Sequence, residues 1–328
     1  MKGHSGECRP IFSTPPASDG QIVNLFIAVT DWEWFSALRD RPDLTEVNFW
    51  QPGGKTEFRA LQPGELFLFK LHSPRNYIAG CGIYAEQSII PISVAWEAFG
   101  IANGASSLDE MRQRVSRYRR SQPLSQREDY KIGCRILTQP SFWPEELWIP
   151  VPDSWSINIV AGKRYSADEI EGARLWHAAF ERLGASTAPG FAETPARFGG
   201  PVLIAPRLGQ EAFRVAVIDA YSRRCAVTSE RTLPALDAAH IRPYALGGKH
   251  DVNNGILFRR DLHPLFDLGY VTITEDYRFE VSKRIRQEFE NGRDYYALNG
   301  RPVRFPEKVK DRPDPAALRW HNEEVFLG

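Results

Sequence analysis

Apolar residues in the first half of the chain come in short runs of strand length. Residues 25–30 (LFIAVT) form one such run, and 65–71 (ELFLFKL) form another after a Pro63-Gly64 turn. Residues 76–84 and 131–138 (KIGCRILT) extend the series. Helices punctuate these strands. Asp31 to Leu38 reads as one, and Ser107 to Arg119 as another with Ser107 as its N-cap. Ser166-Ala-Asp-Glu169 is a capping-box pattern that predicts a helix running to about Leu183. Five or six short strands with few helices predict a small barrel or a highly curved sheet.

The pattern breaks after residue 185. Residues 186–206 (STAPGFAETPARFGGPVLIAP) are rich in Pro, Gly and Ala and lack periodicity, so they read as a linker. A helix then spans about Gly209 to Tyr221, with Phe213, Val217 and Ala220 at helical spacing. The CAVT run at 225–228 reads as a short strand. Tryptophan usage shifts at the same break: eight of nine (Trp32, Trp34, Trp50, Trp96, Trp143, Trp148, Trp155, Trp176) precede it and only Trp320 follows. The expected organisation is a mobile arm over 1–20, a domain over 21–185, a linker over 186–206 and a second domain over 207–328.

Composition narrows the class. Apolar residues are 42% and charged residues 25%, which fits a globular chain rather than a disordered one. No run approaches the length of a membrane span, and the polar first 20 residues hold no signal-peptide core. Cys8, Cys81, Cys134 and Cys225 are scattered, which argues against a disulfide framework and a cysteine-rich zinc site, and for a reducing cytoplasmic setting. Net charge is zero, against the basic balance of many nucleic-acid binders. Local basic clusters exist at Arg223-Arg224, Arg259-Arg260 and Lys283-Arg284-Arg286.

Candidate chemistry concentrates between 236 and 267. His240 ends a strand (LDAAH), Asn254 follows 14 residues later, and His263 comes 9 residues after that with Asp267 at i+4. On a helix His263 and Asp267 share one face and can hold one ion. His240, with a near-neutral pKa, suits a general base acting on water. Asn254 can brace the loop and orient that histidine through its amide. A divalent ion would stabilise the charge that develops during phosphodiester hydrolysis.

These motifs carry a resemblance. RLGQEAFR (207–214), RRCAVTSE (223–230), AAHIRPY (238–244), NNGILFRRDLHPLFD (253–267) and RWHNEEVFLG (319–328) are similar to bacterial HNH nucleases of the restriction type. The resemblance implies a ββα-metal domain with His240 as base, Asn254 as the central Asn, and His263 and Asp267 as metal ligands. It also implies a divalent ion, Mg²⁺ before Mn²⁺, Ni²⁺ or Zn²⁺. One departure stands out: Ala239 occupies the place before the base where many HNH enzymes carry a ligand. Asp237, two residues earlier on the same strand face, is the substitute candidate, and Asp261 a weaker one. Arg242, Arg259 and Arg260 are candidate DNA contacts. His250 reads as a loop residue near phosphate, and His321 as packing or capping.

The tryptophan-rich domain resembles the PUA-like superfamily (EVE, ASCH and YTH domains), curved β-barrels that bind nucleic acid. That resemblance implies an aromatic pocket for a flipped base, with Trp32 and Trp34 as walls and Asp31, Ser73 and Asn76 as readers of the base edge. The fold expected is therefore α+β, a PUA-like barrel with flanking helices ahead of an HNH domain. The function expected is a metal-dependent endonuclease acting on double-stranded DNA that is foreign or carries modified cytosine, with no membrane partner, either as a homodimer or by successive nicks. The alternatives are a sequence-reading nicking or homing-type nuclease and an inactive HNH-fold binding protein.

Overall fold

The structure, a computed structural model, describes residues 22–53, 57–119, 128–185, 201–204, 206 and 208–328. The expected arm over 1–20 and residues 186–200 of the expected linker lie outside the described residues.

The first domain is built on one sheet. β1 (Asn24–Thr30) pairs in parallel with β3 (Leu66–Leu71), from Leu25 opposite Leu66 to Thr30 opposite Leu71. It pairs antiparallel with β7 (Gly162–Ser166). β3 continues to β4 (Tyr77–Pro91), β4 to β5 (Lys131–Phe142), and β5 to the edge strand β2 (Glu46–Gln51). The short β6 (Ile149–Pro150) joins the start of β4.

The described strands form a path with two ends, β2 and β7, so the expected closed barrel is replaced by an open sheet. Its irregularity comes from register shifts at Cys81/Ile83 and Tyr84/Glu86 between β4 and β5, the usual means of bending and twisting a strand. Strands are also longer than expected. β4 runs for 15 residues and β5 for 12. Gly80 lets the two approach closely, since a Cβ there would meet the Ser141 carbonyl.

Both faces of the sheet are covered, which explains why its strands read as unbroken apolar runs. On one face Phe67 and Phe69 pack with α1 (Trp32–Arg39), α2 (Ile92–Phe99) and α3 (Leu108–Tyr118). On the other, Leu25, Ile27, Leu66 and Leu68 pack with Leu175, Trp176 and Ala179 of α4 (Ile170–Ala185). Asp31 starts α1 by accepting the Trp34 N–H at 2.6 Å, and Ser107 starts α3 by accepting that of Glu110 at 3.2 Å. The capping box at 166–169 does not form. Ser166 is the last residue of β7, opposite Asn24, and lies four residues ahead of the helix start, too far back to be its N-cap. Its hydroxyl instead accepts the Asp168 N–H, and α4 begins at Ile170.

α5 (Gln210–Ala220) belongs to two cores. Ala212 and Val215 pack into the first domain, and Phe213, Val217 and Ile218 into the second. Its N-terminus is held by Glu46 of β2, which accepts the Gly209 and Ala212 N–H groups at 2.9 Å each. The CAVT run is a turn rather than a strand, because Cys225 and Ser229 fold it back on itself through backbone hydrogen bonds.

The second domain has a hairpin of β8 (Leu236–His240) and β9 (Gly255–Arg259), followed at once by α6 (Leu262–Asp267). A second hairpin, β10 (Val271–Ile273) and β11 (Phe279–Val281), and three helices, α7 (Arg284–Phe289), α8 (Arg293–Tyr296) and α9 (Pro315–Glu324), complete it. No described helix is long and apolar enough to cross a membrane.

Candidate active site

The β8–β9 hairpin and α6 bring the expected chemistry to one place. His240 closes β8 opposite Gly255. Its ring lies flat on Phe213 of α5, 3.9 Å between centroids and 11° between planes. The contact depends on Gly255, where a Cβ would strike Val217 and Phe213. His240 Nε2 is 3.0 Å from Nδ1 of His250, a neighbour the sequence reading assigned to phosphate instead. The His250 ring is in turn stacked on Tyr244, 4.8 Å away. Burial, with the nearby His250 and His263, pulls the His240 pKa down to about 4, so its ring is neutral near pH 7. Burial also lowers that of His250.

Asn254 sits one residue before β9 and is buried. Its Oδ1 accepts the Arg242 N–H at 3.0 Å, and its Nδ2 donates to the carbonyls of Arg242 at 2.9 Å and Lys249 at 2.8 Å. Asn254 thus clasps both ends of the 242–249 loop that carries His250 towards His240. No direct bond joins it to His240.

His263 and Asp267 stand one turn apart on α6. His263 Nε2 is 3.3 Å from Asp267 Oδ2, and its Nδ1 is 3.0 Å from Asp237 Oδ2. Burial acts to lower the His263 pKa, but the Asp237 bond and the charges of Asp267 and Asp237 outweigh it and raise the value. Burial acts to raise that of Asp237, and is outweighed by His263 and Arg214. For Asp267, burial prevails and raises it. Among the described residues no three His, Cys, Asp or Glu side chains converge as a ready metal cage. The His263–Asp267 pair nevertheless suits adjacent ligands of one ion. Two ligands each roughly 2.1 Å from a metal, at right to tetrahedral angles, lie roughly 3.0–3.4 Å apart. Asp237 is at the opposite ring nitrogen, the position of the carboxylate that orients a metal-binding histidine.

The other sequence candidates are placed as follows. Asp261 pairs with Arg259, whose Nε donates at 2.8 Å. Arg260 pairs with Glu97 of α2, across the domain boundary. Arg242 donates from Nε to the Leu246 carbonyl at 2.7 Å, with its guanidinium 5.4 Å from the Trp320 ring centre. His321 is a buried strut: stacked on Phe266, it donates from Nε2 to the Phe266 carbonyl and bonds Thr272 through Nδ1.

In the first domain a cavity of about 220 Å³ opens beside β1 and β2. Trp50 and Tyr118 supply aromatic walls, and Asp31, Gln51, His72 and Arg135 supply polar groups. Arg135 is only 7% exposed, its guanidinium is 4.2 Å over the Phe58 ring, and its Nε has no hydrogen-bond partner among the described residues. Trp34 contributes an edge to this cavity while its body is core, with Nε1 donating to the Asn48 carbonyl at 3.2 Å. Trp32 lies away from the cavity under the Arg75 guanidinium, 3.7 Å from its ring centre. Ser73 and Asn76 do not line it, and Asn76 accepts from Lys70 Nζ at 2.8 Å.

Residues 225–274, the hairpin, α6 and the strand that follows, match the model of the HNH endonuclease family. This is the segment that carries His240, Asn254, His263 and Asp267. No curated protein matches the chain. Among solved structures, an ASCH protein from Zymomonas mobilis is similar at 11% identity and a TM-score of 0.25, covering 38% of this chain and 76% of that one. The modification dependent restriction endonuclease TagI is similar at 13% identity and a TM-score of 0.26, covering 86% of this chain and 75% of that one.

Proposed function

We propose that the chain is a metal-dependent DNA endonuclease of the restriction type, directed at DNA that is modified or foreign. The observation that carries this reading is the convergence of His240, His263 and Asp267 on one hairpin and helix, inside the segment that matches the HNH family.

His240 is the base. A bond between two imidazole nitrogens needs one N–H and one lone pair. With His240 Nε2–H donating to His250 Nδ1, the lone pair at His240 Nδ1 is left to take a proton from water. The imidazolium so formed keeps His250 as its hydrogen-bond acceptor. His263 Nε2 and Asp267 would hold the divalent ion, Mg²⁺ or a similar cation, and Asp237 fixes His263 by accepting its Nδ1–H. The ion, when bound, supplies charge stabilisation at the scissile phosphate and the leaving oxygen. Asn254 keeps the His250 loop closed over the hairpin.

The cavity beside β1 and β2 is the reading pocket. A base flipped into it would lie against Trp50 and Tyr118 and offer its acceptor edge to Arg135, a buried cation whose Nε has no hydrogen-bond partner among the described residues. Digestion of matched plasmids that differ only in cytosine modification tests the whole reading, with Mg²⁺, Mn²⁺ and EDTA arms. Cleavage that needs the ion and favours one modified plasmid supports it. Equal cleavage of all plasmids removes the modification reading and leaves the nuclease. No cleavage in any arm removes both.

A further inference from the structure

A file of charged groups crosses the domain boundary and ends at the metal pair. Glu97 is on α2 of the first domain. Its Oε1 is 3.2 Å from Nη2 of Arg214 on α5 and also contacts Arg260 just after β9. Arg214 is 17% exposed, and its Nε is 3.3 Å from Asp237 Oδ1, an ion pair rather than a hydrogen bond, since that Nε has no hydrogen-bond partner among the described residues. The other Asp237 oxygen, Oδ2, receives His263 Nδ1 at 3.0 Å, and His263 Nε2 faces Asp267.

We propose that Glu97 is a positioning residue of the nuclease site, which through Arg214 leaves Asp237 free to fix the metal-facing nitrogen of His263. The proposal rests on the nuclease reading given above. A guanidinium tends to take both oxygens of a carboxylate. Glu97 holds the Arg214 guanidinium by an ion pair at Nη2, so Arg214 faces only Oδ1 of Asp237, at 3.3 Å and without a hydrogen bond, and Oδ2 stays on His263. Without Glu97, Asp237 is the remaining carboxylate beside Arg214 among the ion pairs described, and Arg214 draws it away. His263 then loses the acceptor that selects its tautomer, and its Nε2 lone pair is no longer fixed towards Asp267. The first domain thereby completes the metal site of the second.

The test is Mn²⁺ titration of the full chain without DNA, followed by electron paramagnetic resonance. Asp267→Ala is expected to lose Mn²⁺ binding. Glu97→Gln is expected to weaken it by about 3- to 10-fold, at or below the low end for loss of an outer partner of a metal ligand. The same substitution in an Asp237→Asn background is expected to add nothing, because its path is already cut. Arg260→Gln, which breaks the other Glu97 contact but not the path to Asp237, is expected to leave Mn²⁺ affinity unchanged.

Wild-type affinity in Glu97→Gln overturns the proposal, as does an equal loss in the Asp237→Asn background or in Arg260→Gln. In those cases the Asp267→Ala loss still stands, and so does the nuclease site. If Asp267→Ala binds Mn²⁺ as tightly as the wild type, the metal pair itself is wrong and the proposal falls with it.

Discussion

Nε2 of His240 lies 3.0 Å from Nδ1 of His250, so the histidine that closes β8 works as one of a pair. In the proposed mechanism His250 is the acceptor that steadies the imidazolium formed when His240 takes a proton. Replacing His240 by Ala is expected to lower kcat by about 10²- to 10⁴-fold, the usual contribution of a general base. His250→Ala removes one hydrogen bond to a charged group and is expected to cost about 10- to 100-fold. His250→Gln, whose amide oxygen can still accept, is expected to recover part of that loss. Single-turnover cleavage of a supercoiled plasmid checks the order, and His250→Ala cleaving at the wild-type rate would remove the pair from the mechanism.

Asn254 uses its whole amide on the 242–249 loop. Asn254→Ala removes the partner of the Arg242 N–H and of two carbonyls at a part-buried site. An expected cost of about 2–4 kcal/mol follows, measured as a shift in urea midpoint at constant slope. Cleavage is expected to fall further than stability, because the same loop presents His250.

The cavity beside β1 and β2 predicts which aromatic residues matter for DNA. Trp50→Ala is expected to erase any preference for modified over unmodified duplex, while Trp32→Ala, outside the cavity, is expected to preserve it. Arg135→Met, which keeps bulk and removes the donors, is expected to weaken binding of the preferred duplex by about 10-fold or more. Fluorescence anisotropy with labelled duplexes in EDTA separates these effects from cleavage. Loss of preference in Trp32→Ala with retention in Trp50→Ala would reverse the assignment.

Glu46 sets a pH dependence at the domain boundary. It is 3% exposed, and burial, followed by the Glu211 carboxyl, pushes its pKa up to about 8 against the lowering effect of the Ala212 and Gly209 N–H groups. Between the ordinary carboxylate range and pH 8 the folded chain holds a proton that the unfolded chain has released. Stability therefore falls as pH rises through that window, by at most about 1.4 kcal/mol per pH unit from this group. Glu86, pushed up to about 7 by burial first, adds a slope of the same sign. Urea unfolding at pH 5, 6.5 and 8 is expected to show a shallower decline in Glu46→Gln than in the wild type. Equal slopes would show that Glu46 is ionised in the folded chain.

What the sequence revealed was local, and what it hid was long-range. His240, His263 and Asp267 were legible because a strand end and an i,i+4 helical pair fix their neighbourhood within 28 residues of chain. The partnership of His250 with His240 was not, since it depends on how Asn254 folds a loop. Arg214 and Glu97 were invisible for a stronger reason: they meet across domains, and although Arg214 ends the RLGQEAFR segment, nothing local marks either residue as a partner of the other. The capping box at Ser166 did not form because α4 starts only at Ile170, four residues beyond the strand end that Ser166 occupies. Trp34 read as a pocket wall, yet most of its ring went to fill the core between α1 and the sheet. The continuous apolar runs did announce a sheet, although an open path covered on both faces replaced the expected barrel.

The central claim is metal-dependent cutting by the His240, His263 and Asp267 set, and one measurement tests it most directly. Supercoiled plasmid carrying the preferred modification is incubated with the full chain in Mg²⁺ or Mn²⁺, and in EDTA, beside His240→Ala and Asp267→Ala variants shown to be folded. Conversion to nicked or linear DNA by the wild type with the ion, none in EDTA, and a loss of at least about 100-fold in both variants is the predicted result. Cleavage that persists in EDTA, or that survives in either variant at the wild-type rate, would contradict it.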